Sequence, residues 1–130
     1  MSAEVARAFF DALNARDYDA VRGLMQPDCR TALPGVPPGA EGYVAMARQM
    51  VTSFPDLHHA VADLVDAPGR VTVITRTTGT QERPFMGHPS QGRRFSAAGI
   101  DVLDVRSNRI TARFGLFDTV TMLLQLGLYR

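Results

Sequence analysis

From Arg94 to Phe117 the chain reads as two strands joined by the short turn Arg106-Ser107-Asn108, and both faces of that hairpin are apolar. Successive side chains of a strand point to opposite faces, so residues of one parity share a surface. The even positions are Ile100, Val102, Ile110, Ala112, Phe114 and Leu116, with Asp104 near the turn. They are expected to form a buried face. The odd positions are Phe95, Ala97, Gly99, Asp101, Leu103, Arg113, Gly115 and Phe117. Two Phe and a Leu in that density are unusual on a solvent face. The odd side is therefore expected to floor a pocket.

Asn tolerates the left-handed conformation, so a three-residue loop with Asn108 in that region is the expected closure. In that register Val105 pairs with Arg109, Gly99 faces Gly115, and Asp101 faces Arg113. The two glycines would leave room above the sheet for a ligand. A carboxylate among apolar walls has a tunable proton affinity, and an Arg opposite it favours the ionised form. The same two residues would also suit a structural cross-strand ion pair, worth roughly 0.2–1 kcal/mol.

The rest of the chain predicts helices first and strands afterwards. Val5, Ala6, Phe9, Phe10 and Leu13 make a helical stripe over residues 3–15. A second helix fits residues 19–25, capped by Asp17 or Asp19 and ended by Pro27. Residues 29–33 form a short strand at best, and residues 34–39 a Pro-Gly loop. A third helix runs over residues 41–54 and stops before Pro55. Strands follow at residues 59–65 and 71–80, with a turn at Pro68-Gly69, then the loop 84–92 and the hairpin. A last helix covers residues 118–128. This order predicts one α+β domain over residues 1–130, with helices on one face of a curved, mostly antiparallel sheet.

The basic residues exclude some chemistry. All fourteen are Arg, so no Lys side chain can form a Schiff base or hold pyridoxal phosphate. Cys29 is the sole cysteine, and His58, His59 and His88 lack metal-ligand spacing, so neither a disulfide within the chain nor a metal is expected. No cofactor is implied. The net charge of +1 gives no case for a nucleic-acid partner. No apolar run suits a membrane span and no signal segment is visible, so a cytoplasmic protein is expected.

Several segments together carry a resemblance. Ser53-Phe-Pro-Asp-Leu57, Pro84-Phe-Met-Gly-His-Pro89, Gly92-Arg-Arg-Phe95, Gly99-Ile-Asp-Val-Leu103, and Phe117-Asp118 leading to Leu124-Gln-Leu-Gly127 resemble the SnoaL-like polyketide cyclase family in order and spacing. The resemblance implies a cone-shaped fold of the nuclear transport factor 2 type, with helices and a curved sheet enclosing one apolar pocket. It further implies a homodimer and a small hydrophobic, polyketide-like substrate. Antibiotic cyclases of the family carry Gln, His, His and the acid/base Asp at positions that here read Gly99, Asp101, Arg113 and Gly115. None of the four is retained.

The expected function is cofactor-independent cyclisation or isomerisation by proton transfer. Asp101 would act as base, Arg113 as stabiliser of developing negative charge, and Asp118 as a further catalytic candidate. Asp118 equally suits the N-cap of the last helix. Tyr43, His59, Arg76, Gly99, Gly115 and Phe117 are the expected substrate-binding residues. Epoxide opening or hydroxylation by the Asp101 and Arg113 pair is the alternative chemistry. A carrier that holds a hydrophobic ligand without turnover is the alternative from another class.

Overall fold

The computed structural model describes residues 2–128. Along them run α1 (Ser2–Asn14), α2 (Tyr18–Leu24), β1 (Met25–Arg30), α3 (Gly39–Ser53), β2 (His58–Ala67), β3 (Arg70–Thr80), β4 (Arg94–Arg106), β5 (Arg109–Phe117) and α4 (Thr119–Leu126). The five strands form one open sheet in the order β1-β5-β4-β3-β2. All neighbours are antiparallel except β1 and β5, which are parallel. The expected α+β arrangement is the one observed.

The helices form where the 3.6-residue period is strongest. In α1 the buried residues Val5, Ala6, Phe9, Phe10 and Leu13 lie on one side. Asp17 caps α2 by accepting a hydrogen bond from the Ala20 N–H at 3.1 Å. Pro27 does not end that helix as expected. The helix stops at Leu24, and Pro27 sits inside β1, which starts four residues before the predicted strand segment at 29–33 and overlaps it at Cys29 and Arg30. β1 is an edge strand, where a residue without an N–H is tolerated. Gly39 then starts α3 with φ at +86°, and a side chain there would overlap the Pro27 carbonyl. That close approach sets α3 against β1 and brings Tyr43, one turn on, over the sheet.

Two expectations about the hairpin need correction. Its turn has two residues, not three: Arg106 pairs with Arg109, and Ser107 and Asn108 both have positive φ. That is the signature of a turn whose twist matches the strands. A bulge between Asp104 and Val105 adds a second offset. Asp101 therefore lies opposite Gly115, and Arg113 opposite Leu103. The two offsets sum to a shift of two, so the parity of the faces survives.

The even face is not the buried one. The helices cover the odd face, where Phe95 and Leu103 are each 1% exposed, whereas Ile100, Phe114 and Leu116 are 47%, 57% and 68% exposed. Both faces are apolar, so alternation alone cannot say which is inside. Ile110 is the exception among the even residues. It lies beyond the bulge, pairs with Val105 and is fully buried.

Between helices and sheet the core forms two clusters. One gathers Phe9, Phe10, Leu13, Val44, Val71 and Leu103 beneath α1–α3. The other gathers Phe54, Leu57, Phe95, Ala97, Met122 and Leu126 beneath α4. Burying each Phe contributes roughly 1.5–3 kcal/mol.

Candidate functional site

Between the two clusters the inner face of the sheet and α3 enclose a cavity of about 350 Å³. Its walls are mostly apolar, with Phe10, Leu13, Met50, Val51, Leu57 and Phe95 among them. Phe95 is fixed edge-on against Phe54 and Phe117, with ring centroids 5.1 and 6.4 Å away.

Asp101 on β4 and Arg113 on β5 meet on the floor of this cavity. Arg113 Nη2 donates to Asp101 Oδ1, and Arg113 Nη1 donates to the Thr31 carbonyl at 3.0 Å. Their side chains are only 9% (Arg113) and 16% (Asp101) exposed, so the pair works largely screened from solvent. Burial opposes the charge on Arg113, but the Asp101 carboxylate beside it holds the guanidinium pKa above its ordinary value. The Arg113 guanidinium also lies 5.7 Å from the centre of the Tyr43 ring.

The glycines do not leave room for a ligand as expected. A methyl group on Gly115 would overlap both the Arg113 guanidinium and the Asp101 carboxylate. Because Arg113 sits two residues along β5 from the position opposite Asp101, its side chain runs along the strand over Gly115. Gly115 is therefore the seat of the ion pair. At Gly99 the space is taken by the Thr75 hydroxyl and the Phe117 ring.

Tyr43 lines the cavity from α3. Burial, reinforced by the Asp101 charge, pushes its hydroxyl pKa well above the ordinary value, so the group stays protonated. Cys29 is buried nearby, and burial raises its thiol as well. His59 and Phe117 line the cavity too. His59 Nδ1 lies 3.0 Å from the Thr77 hydroxyl.

Two predicted site residues lie elsewhere. Asp118 caps α4, accepting from the Thr121 N–H at 3.1 Å and from the Thr121 hydroxyl at 2.6 Å. It is exposed and does not line the cavity. Arg76 occupies an even position of β3, on the outer face, and reaches Ser96 Oγ at 3.2 Å.

Sequence reasoning missed Thr31, Thr75 and Thr77. An inward Thr pair in the strand Val71–Val73–Thr75–Thr77 was a readable signal. The Thr31 carbonyl had none, because any residue carries one. Among the described residues no group of three His, Cys, Asp or Glu side chains is placed to hold a metal ion. Among them, too, no helix is long and apolar enough to cross a membrane.

The profile of the SnoaL-like polyketide cyclase family matches residues 3–126. No curated protein matches the chain. Among solved structures, TsrD from Streptomyces laurentii superposes with a TM-score of 0.90 at 26% identity, over 98% of this chain and 96% of its own. IdmH from Streptomyces antibioticus, a "putative polyketide cyclase", superposes with a TM-score of 0.87 at 32% identity, over 96% and 97%. A SnoaL-like polyketide cyclase from Agrobacterium tumefaciens, at 23% identity, shares the fold with a TM-score of 0.82 over 96% and 97%.

Proposed function

We propose, from the premise that the chain belongs to the SnoaL-like polyketide cyclase family, that it is a cofactor-independent enzyme transferring a proton within a polyketide-like cyclic substrate. The observation that carries this reading is the Asp101–Arg113 pair inside an apolar cavity. Asp101 Oδ1 is held by Arg113, while Oδ2 has no hydrogen-bond partner among the described residues. Oδ2 is the atom that takes a proton from a carbon next to a substrate carbonyl. The C–H electron pair then moves onto the carbonyl oxygen. Arg113, fixed by Asp101 and the Thr31 carbonyl, keeps further N–H donors for that oxygen, and the Tyr43 hydroxyl is a second donor. In an isomerisation the proton returns from Asp101 to another carbon. In a cyclisation the enolate carbon attacks a second carbonyl of the same molecule, and the resulting alkoxide takes the proton.

The test is hydrogen–deuterium exchange at the acidic carbon of 2-tetralone, a bicyclic ketone, followed by proton NMR in heavy water. The protein is expected to speed exchange over buffer, and Asp101→Asn to remove about 10²-fold or more of that acceleration. A wild-type rate equal to buffer, or an unchanged rate in Asp101→Asn, sinks the reading.

A second copy of the chain is proposed as partner. What supports it is the exposed outer row Ile74–Ile100–Leu116, aligned across three strands, with Val102 and Phe114 paired beside it. A contiguous apolar patch of this kind marks an interaction surface.

A further inference from the structure

We propose that His59 is a substrate-binding residue: it hydrogen-bonds a hydroxyl or carbonyl group of the ligand on the β2 side of the cavity, across the sheet from Asp101. The cavity thereby selects ligands that carry two polar groups separated by an apolar ring body. The inference rests on the reading of this cavity as the ligand site.

The sheet register separates the two polar stations. Asp101 is aligned with Val73 on β3, and His59 with Thr77, four residues further along the same strand. β4 and β2 lie on either side of β3. Standard strand spacings then put the two backbones about 13 Å apart along the sheet and about 10 Å across it. Leu57 and Phe95 lie beyond His59, beside Gly79, and α3 lines the cavity opposite the sheet with Met46, Ala47 and Met50. A ligand reaching both Asp101 and His59 must present an apolar middle to the α3 side chains.

His59 is held as a binding group is held. Asn14, at the end of α1, clamps its backbone twice. The Asn14 Nδ2 donates to the His59 carbonyl, and the His59 N–H donates to Asn14 Oδ1, both at 2.8 Å. Thr77 fixes the ring through Nδ1. The other ring nitrogen, Nε2, makes no hydrogen bond to any described residue. A ring nitrogen without a protein partner is open to a ligand group or a water.

The ring is neutral: burial first, then the positive charge of Arg16 and the neighbouring His58, lower its pKa to about 4. A Thr hydroxyl both donates and accepts, so Thr77 serves either tautomer. With the proton on Nδ1, Nε2 accepts from a ligand hydroxyl. With the proton on Nε2, it donates to a ligand carbonyl. A carboxylate partner would instead have locked one tautomer.

The experiment compares naphthalene, 2-naphthol and 2,6-dihydroxynaphthalene as probes. The chain contains no Trp, so probe fluorescence is read without indole background. In the wild type the dihydroxy probe is expected to bind about tenfold tighter than 2-naphthol, the worth of one neutral hydrogen bond. In His59→Phe that advantage should vanish while naphthalene binds as before. A second readout needs no variant. The ¹⁵N resonances of the His59 ring in the wild-type chain should shift with 2,6-dihydroxynaphthalene and stay in place with naphthalene. The same shift should persist in Asp101→Asn. Naphthalene binding without any His59 effect overturns this inference alone. Failure of all three probes to bind overturns the ligand-cavity reading as well. Loss of catalysed exchange in 2-tetralone with the His59 shift intact would count against the proposed chemistry and leave this inference standing.

Discussion

Gly115 shapes the reactive floor by having no side chain. The place a Cβ would take is filled by the Arg113 guanidinium and the Asp101 carboxylate. Its backbone is ordinary and extended, so alanine strains nothing locally. Gly115→Ala is therefore expected to keep the fold, checked by circular dichroism, and to push the ion pair out of position. A displacement of about 1 Å in a reacting group costs on the order of 10²-fold in rate. The 2-tetralone exchange rate measures it, and an unaltered rate in a folded Gly115→Ala protein would refute this account. A glycine inside a strand pattern does announce a close approach. What approaches was not legible, since it depended on a two-residue shift of register.

At the scale of elements, the seam between α1 and β2 is pinned at one residue. Asn14 and Thr77 hold His59 from backbone and ring, and burial keeps the ring neutral. The unfolded chain takes up a proton there near pH 6.5, while the folded chain resists until about pH 4. The folded-state value is depressed, so stability from this group is full above about pH 6.5 and is lost as pH falls toward 4. The full loss is on the order of 3 kcal/mol, at about 1.4 kcal/mol per pH unit between the two values. Urea unfolding of the wild type and His59→Phe at pH 7 and pH 4.5 isolates this contribution. The wild type should weaken relative to the variant on acidification. A gap that stays constant between the two pH values would rule the linkage out.

The same scale explains what could be read in advance. The stripe Val5–Phe9–Leu13 and the break at Pro55 are local signals, and α1 and α3 formed where they point. Asn108 marked the hairpin turn, though not its length or the register beyond it, because neither the positive φ of Ser107 nor the bulge at Asp104 leaves a trace in composition. Pro27 was misleading: it reads as a helix stop, yet it sits in an edge strand with a free side. Asp101 and Arg113 came together because parity outlasts a shift of two. Asn14 meets His59 across 45 residues of sequence, and no local pattern encodes such a contact.

For the whole molecule, the sheet divides two tasks between its faces. The inner face carries the cavity. The outer face leaves Ile100, Phe114 and Leu116 47%, 57% and 68% exposed. If a second copy covers them, the particle in solution has twice the 14.2 kDa of one chain, about 28 kDa. Phe114→Glu places a charge in the middle of that patch, where desolvation is costly. Analytical ultracentrifugation should find wild type at the double mass and Phe114→Glu at the single mass with its circular dichroism unchanged. A wild type that sediments at the single mass at high micromolar concentration would remove the proposed partner.

The alternation along β4 and β5 also makes the hairpin a two-channel design surface. Positions 99, 101, 113, 115 and 117 turn toward the cavity, and positions 100, 102 and 114 turn away from it. A combinatorial library confined to the first set would search new chemistries while the second set kept its wild-type surface. The reverse library would vary assembly and solubility while the reactive floor stayed fixed. One backbone hairpin thus offers two independent alphabets, written in alternate letters.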